Sequence, residues 1–273
     1  MALIIRDARR EDAGIIAECV LAAMGFDVYS AEGLEEAVKI GDTELEIADA
    51  LGIFTQICAR EETLYSYTRS RVAEIDGEAA GVLISYPGDE NARLRGYTWG
   101  LAAAAGENGI PVNVPGEAPA EGNDTALDSA SYSASDFYKY FPAECEADEY
   151  YLDSIAVRPA FRGKSYEYAG LSDRPGHLLL QDGILLGRSK GYSRTSLIVD
   201  VTKPHLERYY ASLGFRTEGE ILFFGHPYHR MVLYPPDSST RKSAIAPGLK
   251  PCKGVAGAND QYRFQHIPGK QPT

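Results

Sequence analysis

At 273 residues, 44% hydrophobic and 24% charged, the chain has the make-up of a globular protein with one sizeable domain or two small ones. Its net charge of −12 leaves no basic surface for wide nucleic-acid contact, so no nucleic-acid partner is expected. No apolar run approaches the roughly 20 residues that span a bilayer, and charges interrupt MALIIRDARRED where a signal peptide has its apolar core; a cytoplasmic protein with no membrane partner is expected.

The cysteines, Cys19, Cys58, Cys145 and Cys252, are far apart and form no C-x-x-C or Cys/His cluster, so neither a metal site nor a disulfide framework is expected.

Leu3 to Arg6 reads as a first strand. Asp12 can cap a following helix, with Ile15, Ile16, Cys19, Val20 and Met24 at helical spacing and Gly25 as its stop. The pattern predicts a second helix over Ala31–Ile40 and a third over Thr43–Ala59. Asp76-Gly77 between Arg69–Ile75 and Glu78–Tyr86 is a two-residue hairpin signal. The second arm is nearly continuous apolar and belongs in the middle of a sheet. Asn91–Ala105 is predicted helical.

From Gly106 to about Ser135 the composition turns to Gly, Pro, Asn, Ser and Glu, which reads as a flexible surface insertion. Aromatics return at Asp136–Phe141, read as a helical turn beside a site. Tyr150–Val157 is the strongest buried-strand candidate, stopped by Arg158-Pro159. The basic turn Arg162-Gly163-Lys164 follows, and a helix runs from Gly176 to Lys190. A strand, a basic Gly-containing loop and a helix N-terminus together form a recipe for holding phosphate, because backbone N–H groups and the helix dipole favour an anion.

Thr195–Val201 is a further buried strand. Pro204 opens a helix with Leu206, Tyr209, Tyr210 and Leu213 on one face, and Gly214 ends it. Phe215–Phe224 and Tyr228–Tyr234 are predicted strands with His226-Pro227 in the turn between them. Residues 1–234 are expected to form one domain, and 235–273 an extended or disordered tail. The alternation after residue 150 predicts an α/β fold: a mixed, mostly antiparallel sheet with one central parallel crossover and helices on both faces.

This order of elements resembles the GCN5-related N-acetyltransferase (GNAT) family. Two motifs carry the resemblance. LDSIAVRPAFRGK (Leu152–Lys164) is similar to the family's fourth strand and pyrophosphate loop, and ERYYASLGF (Glu207–Phe215) to its final helix. The resemblance covers Leu3 to Tyr234, with the 106–135 segment as a gap.

The resemblance implies a cytoplasmic enzyme that moves acetyl from acetyl-CoA to a primary amine, without a metal. It implies that the backbone around Ile155, Ala156 and Val157 holds the pantetheine arm, and that the N–H groups of Arg162, Gly163, Lys164, Gly176 and His177 hold the diphosphate. Lys203 stands where the family often has a cofactor-contacting Asn. Tyr210 matches the family's tyrosine acid, which protonates the leaving thiolate, with Tyr209 as the fallback. For the base, Asp153 reads as sharing a strand face with Tyr151, Ile155 and Val157, where burial raises its pKa and suits it to accept a proton. Glu149 at the strand entrance is the alternative. His226 and His229 border the acceptor side and are candidates for substrate contact.

The chain also departs from the family's loop. Ser165 stands where a glycine is expected, and Tyr166–Pro175 intervene before Gly176. Either the loop bulges outward and Gly176 resumes its role, or the cradle is broken; Arg174 is a replacement phosphate contact in the first case. Two rival functions follow: a GNAT-fold module that binds acyl-CoA for regulation without catalysis, and a nucleotide-binding α/β protein of another class. The acceptor, a small-molecule or peptide amine, and a homodimer assembly are left open.

Overall fold

The two most apolar segments decide the architecture. In the computed structural model, which describes residues 3–40, 43–108, 143–223 and 226–235, strand β5 (Glu78–Pro87) pairs antiparallel with β6 (Glu149–Val157). On its other edge β5 pairs with β4 (Ser70–Ile75) through the expected hairpin. Asp76 and Gly77 both hold positive φ there, 51° and 86°, the twist that suits a two-residue turn. Strand β1 (Leu3–Asp7) closes that edge against β4.

On the other side β6 runs parallel to β9 (Arg194–Asp200), joined by helix α5 (Pro175–Ser189). Strands β10 (Arg216–Phe223) and β11 (His226–Leu233) complete a seven-stranded sheet in the order β1-β4-β5-β6-β9-β11-β10. The β6–β9 pair is its parallel step; the other pairings are antiparallel.

Each face of the sheet has its own core. Helices α1 (Ala13–Met24), α3 (Ile47–Cys58) and α4 (Gly88–Asn108) cover one face, where Ile16, Val20, Phe54 and Ile57 pack with Val82, Ile84, Tyr86 and Tyr151. Helix α5 and helix α6 (Pro204–Ser212) cover the other, where Leu178, Leu179 and Ile184 pack with Leu83, Tyr150, Leu152 and Leu197. Two glycines let α5 lie close. A Cβ at Gly183 would stand 2.3 Å from Leu83 Cδ2, and one at Gly187 2.5 Å from the Tyr150 ring.

Two expectations over the early helices need correction. Ala31–Ile40 is a short helix α2 (Ala31–Leu34) followed by strand β2 (Ala37–Ile40), and β2 pairs with β3 (Thr43–Glu46) before α3 begins at Ile47. Val38 is buried against the α1/α3 core, so tertiary burial overrides a helical pattern too short to stand alone. Asp12 precedes α1 as expected, but its carboxylate makes no cap bond; it pairs with Arg6 at 2.7 Å and accepts from the Arg9 N–H.

Residues through Pro235 belong to one compact unit. The insertion expected at 106–135 lies outside the described residues beyond the end of α4 at Asn108, as do the turn expected at Asp136–Phe141 and the tail after Pro235. Among the described residues no helix is long and apolar enough to cross a membrane, and no group of three or more His, Cys, Asp or Glu side chains could hold a metal.

Candidate active site

Strands β6 and β9 part company soon after they meet. They pair at Glu149↔Arg194, Tyr150↔Thr195 and Tyr151↔Ser196, and at no later position. Beyond Tyr151 the β9-facing edge of β6 has no strand partner, although β5 continues to pair along its other edge to Val157. The burial of β6 changes at the same place: Glu149 to Leu152 are buried, whereas Asp153, Ile155, Ala156 and Val157 are partly exposed. The result is a V-shaped opening on whose β6 side the backbone has no strand partner among the described residues, so its outward groups other than the Val157 carbonyl, which Arg162 holds, are left for solvent or ligand.

A β-bulge sits at the head of this opening. On β5, Ile84 and Ser85 are consecutive, but their β6 partners are Ser154 and Leu152, so Asp153 is the extra residue. A bulge re-aims side chains, and here it corrects the expected alternation. Asp153 lies with Tyr86 and Ser154 on the α1/α3/α4 face, while Ile155 packs in the α5/α6 core. Val157 Cγ2 likewise lies 3.5 Å from where a Cβ on Gly176 of α5 would be. Asp153 therefore does not share a face with Ile155 and Val157.

The Asp153 carboxylate accepts hydrogen bonds from the Tyr86 hydroxyl and from Ser154 Oγ, the latter at 2.7 Å. Asn91 in turn donates to the Tyr86 oxygen at 3.3 Å. Burial pushes the Asp153 carboxyl above its ordinary value, and these two hydrogen bonds pull the other way. Glu149 stands in contrast. It is fully buried, with Oε1 held by Arg230 and by Arg194 and Oε2 accepting from the Glu146 N–H at 2.9 Å. Its oxygens are committed to fixed donors, the setting of a structural ion pair.

On the opposite face, Tyr209 and Tyr210 lie on α6. The Tyr209 hydroxyl is tied to His177 Nδ1 at 2.8 Å. The Tyr210 ring packs against Phe215 and Tyr209, and among the described residues its hydroxyl has no hydrogen-bond partner. Burial pushes its phenol up to about 12, so it stays protonated at neutral pH.

The loop after β6 departs from a tight turn by folding outward. Residues 166–173 fold into a hairpin of β7 (Tyr166–Tyr168) and β8 (Leu171–Asp173), turned by Ala169 and Gly170 at φ 49° and 82°. Tyr166 is buried in the α5/α6 core, and the Tyr168 hydroxyl donates to Asp182 of α5 at 2.9 Å. The extra residues thus bulge out as a docked hairpin, and α5 begins at Pro175-Gly176 as a continuous helix.

Two of the five amides expected to meet a diphosphate are spent inside the chain: Arg162 N–H donates to the Pro159 carbonyl at 3.2 Å, and His177 N–H to that of Arg174 at 3.0 Å. Those of Gly163, Lys164 and Gly176 have no acceptor among the described residues. Arg162 donates to the Val157 carbonyl and lies over the Tyr29 ring, and Lys164 donates to the Ala160 carbonyl. Arg174 is exposed at the start of α5.

The remaining residues divide between the faces. Lys203 precedes α6 and stands 3.9 Å from Asp200. His226 opens β11 rather than lying in a turn, and its Nε2 meets Asp200 at 2.9 Å. His229, three positions on, faces the other way and meets Glu207 of α6 at 3.1 Å. The odd spacing alone forbids both histidines from lining one pocket.

Sequence reasoning missed Glu144, Tyr86 and Asn91, which surround Asp153 in space but come from separate segments. It also missed Ser196, whose fully buried hydroxyl at the last β6–β9 rung has no hydrogen-bond partner among the described residues.

No protein-family profile matches the chain, and no curated protein sequence matches it. Solved structures do. An N-acetyltransferase from Staphylococcus aureus Mu50 aligns over 84% of this chain and 100% of its own, with 22% identity and a TM-score of 0.54. A second solved acetyltransferase aligns over 85% and 100%, with 22% identity and a TM-score of 0.52. Both likenesses concern the fold, and with the strand order and the parting of β6 and β9 they place this chain among proteins of the GNAT fold.

Proposed function

We propose that the protein transfers acetyl from acetyl-CoA to a primary amine. The observation that carries this reading is the parting of β6 and β9 after three rungs, with a bulge at its head. The residues fit an extended, phosphate-bearing thioester. The β9-facing edge of β6 offers the main chain of Ile155 and the Val157 N–H to an amide-containing arm, the Ala156 groups being turned toward β5 and the Val157 carbonyl held by Arg162, and the Ser196 hydroxyl, without a partner among the described residues, lies where the strands diverge. The free amides of Gly163, Lys164 and Gly176, with Arg174 beside them, offer donors to a diphosphate at the end of α5, where the helix dipole adds to them. Lys203 supplies a further cation near α6.

Acetyl-CoA, when bound, supplies an activated acetyl group. The chain supplies the proton transfers. Asp153 Oδ, raised by burial, takes a proton from the acceptor's ammonium on the α1/α3/α4 face, freeing the nitrogen lone pair that attacks the thioester carbonyl. Tyr210 Oη, protonated and without a competing partner, gives one to the departing sulfur on the α6 face. An acceptor approaching Asp153 would meet His226 and Tyr228, which share that face with Asp200.

Isothermal titration with acetyl-CoA tests the reading. Binding is expected, and an absence of heat at millimolar cofactor sinks it. Tyr210→Phe is expected to lower turnover by about 10²-fold with cofactor affinity unchanged; unchanged turnover removes Tyr210 from the chemistry. The two cradle amides spent within the chain favour one second reading, a GNAT-fold protein that binds acyl-CoA without transferring it. Tight binding with no turnover across a broad amine panel decides for that alternative.

A further inference from the structure

One buried carboxyl near the opening is not used by the chemistry above. Glu144 precedes β6 and is 6% exposed. Its Oε2 accepts from the Tyr151 hydroxyl at 2.6 Å. Asn91 donates to the Tyr86 oxygen, and Tyr86 donates to Asp153. Asp153 and Glu144 therefore hang on neighbouring tyrosines: Tyr86 bonds Asp153, Tyr151 bonds Glu144, and the two rings lie 5.7 Å apart in the core.

Resting on the acetyl-transfer reading, we propose that Glu144 is the positioning partner of Asp153. The two carboxyls hold a single proton between them, and the doubly ionised pair is the base that takes the proton of the amine.

The physical case is one of like charges in a dry site. Two carboxylates sharing a buried cluster cannot both ionise at the ordinary pH, so their protons leave in two steps that belong to the pair. Burial first, then the charge of Asp153, push the Glu144 carboxyl up to about 7, against the hydrogen bond from Tyr151 and the influence of Arg95 and Asn91. The groups facing the pair are few. Cys19 comes from α1, Tyr86 from β5, Tyr151 from β6, Arg95 from α4 and Tyr228 from β11; Tyr65 precedes β4, and Cys145 adjoins Glu144. Arg95 is the cation that acts on Glu144 directly.

A lone carboxylate near its ordinary pKa is a weak base toward an ammonium. With Glu144 ionised beside it, Asp153 binds a proton with the affinity of the second step. The proton leaves the acceptor's ammonium before the nitrogen attacks, resides on the pair, and passes to solvent when the product departs. Glu144 acts through Asp153 and need not touch substrate.

The pH profile of kcat/KM tests this. In the native protein it is expected to rise with pH through the second step of the pair. Glu144→Gln, which imitates a permanently protonated partner, is expected to abolish that limb and to lower kcat/KM at pH 8 by about tenfold or more. Glu144→Asp is expected to restore a limb near neutrality. Tyr151→Phe removes a donor that stabilises the Glu144 anion, so it is expected to move the limb to higher pH; this variant decides alone if Glu144→Gln does not fold. A carbon-13 carboxyl titration by nuclear magnetic resonance provides a readout independent of turnover: one glutamate resonance titrating near neutrality in the native protein and absent from Glu144→Gln. Turnover with superimposable native and Glu144→Gln profiles, or a Tyr151→Phe limb that stays in place, overturns this inference and leaves acetyl transfer standing. A native protein that binds no acetyl-CoA overturns both.

Discussion

Strand β6 carries two carboxylates four residues apart with opposite fates. Glu149 lies in the half paired on both edges, clamped by Arg194 and Arg230. Asp153 lies in the half that has parted from β9, bulged out of register and bonded to neutral hydroxyls from Tyr86 and Ser154. Both side chains are taken from water, and the partner decides what each can do. Cations beside Glu149 fix it in place. Asp153 has only neutral donors beside it, and burial raises its proton affinity against their pull. One strand thus carries an anchored carboxylate at its start and, under the proposed function, the base at its end.

The largest expected effect breaks the anchor. Glu149→Ala leaves two arginines facing a buried gap and is expected to cost about 3–5 kcal/mol of stability. A denaturant melt reads it as a lower midpoint with little change in slope. If the midpoint does not move, Glu149 is not the anchor and the contrast along β6 fails.

Asp153→Asn tests the other half. It removes a carboxyl whose ionisation the fold disfavours, so the melting temperature is expected to hold or rise, while turnover falls by about 10²–10³-fold. The sign with pH follows from the same shift. Because the folded carboxyl is raised above its ordinary 3.8, the native state binds more protons than the unfolded chain just above that pH. Stability conferred by the neutral form is therefore lost as pH rises through the folded value, and Asp153→Asn should flatten that decline. A variant as unstable as Glu149→Ala would make both carboxylates structural.

Much of this contrast was beyond the reach of the sequence. The hairpin at Asp76-Gly77, the apolar β5 and β6 and the crossover through α5 were legible, because turn chemistry and unbroken apolar runs are local signals. The bulge at Asp153 was not: strand alternation read straight through YYLDSIAV puts Asp153 on the face of Ile155, and only the pairing with Ile84 and Ser85 reveals the extra residue. Glu149 and Asp153 look alike in sequence, since Arg230 comes from a strand far along the chain. Glu144, Tyr86 and Asn91 stayed hidden for the same reason. Tyr166–Pro175 read either as an outward bulge or as a break in the loop, and the Ala169-Gly170 turn makes it an outward hairpin whose tyrosines face the core and Asp182.

A smaller effect tests the packing that supports the first half of β6. Gly187 of α5 lies over the Tyr150 ring, and an added Cβ would stand 2.5 Å from it. Gly187→Ala is expected to cost about 1–3 kcal/mol through overpacking, read as a lower denaturation midpoint with cofactor affinity unchanged. Loss of cofactor affinity at constant stability would mean that the two halves of the strand are mechanically coupled, which the parting at Tyr151 argues against.

The smallest expected effect separates the cations of the loop. Arg162 is already engaged by the Val157 carbonyl and the Tyr29 ring, and Lys164 by the Ala160 carbonyl, whereas Arg174 stands exposed at the start of α5. A cation free to turn toward a phosphate gives more to binding than one holding the loop's own backbone, yet an exposed charge in water contributes only about 0.2–1 kcal/mol. Arg174→Ala is therefore expected to weaken acetyl-CoA binding by a factor of about two to five, with the deficit shrinking as salt is raised. Lys164→Ala is expected to change it less. Titration calorimetry at low and high salt reads both. The reverse order would mean that the docked hairpin carries Arg174 away from the diphosphate, and the opening between β6 and β9 would then depend on its backbone edge and the Gly163–Lys164 turn to hold the cofactor.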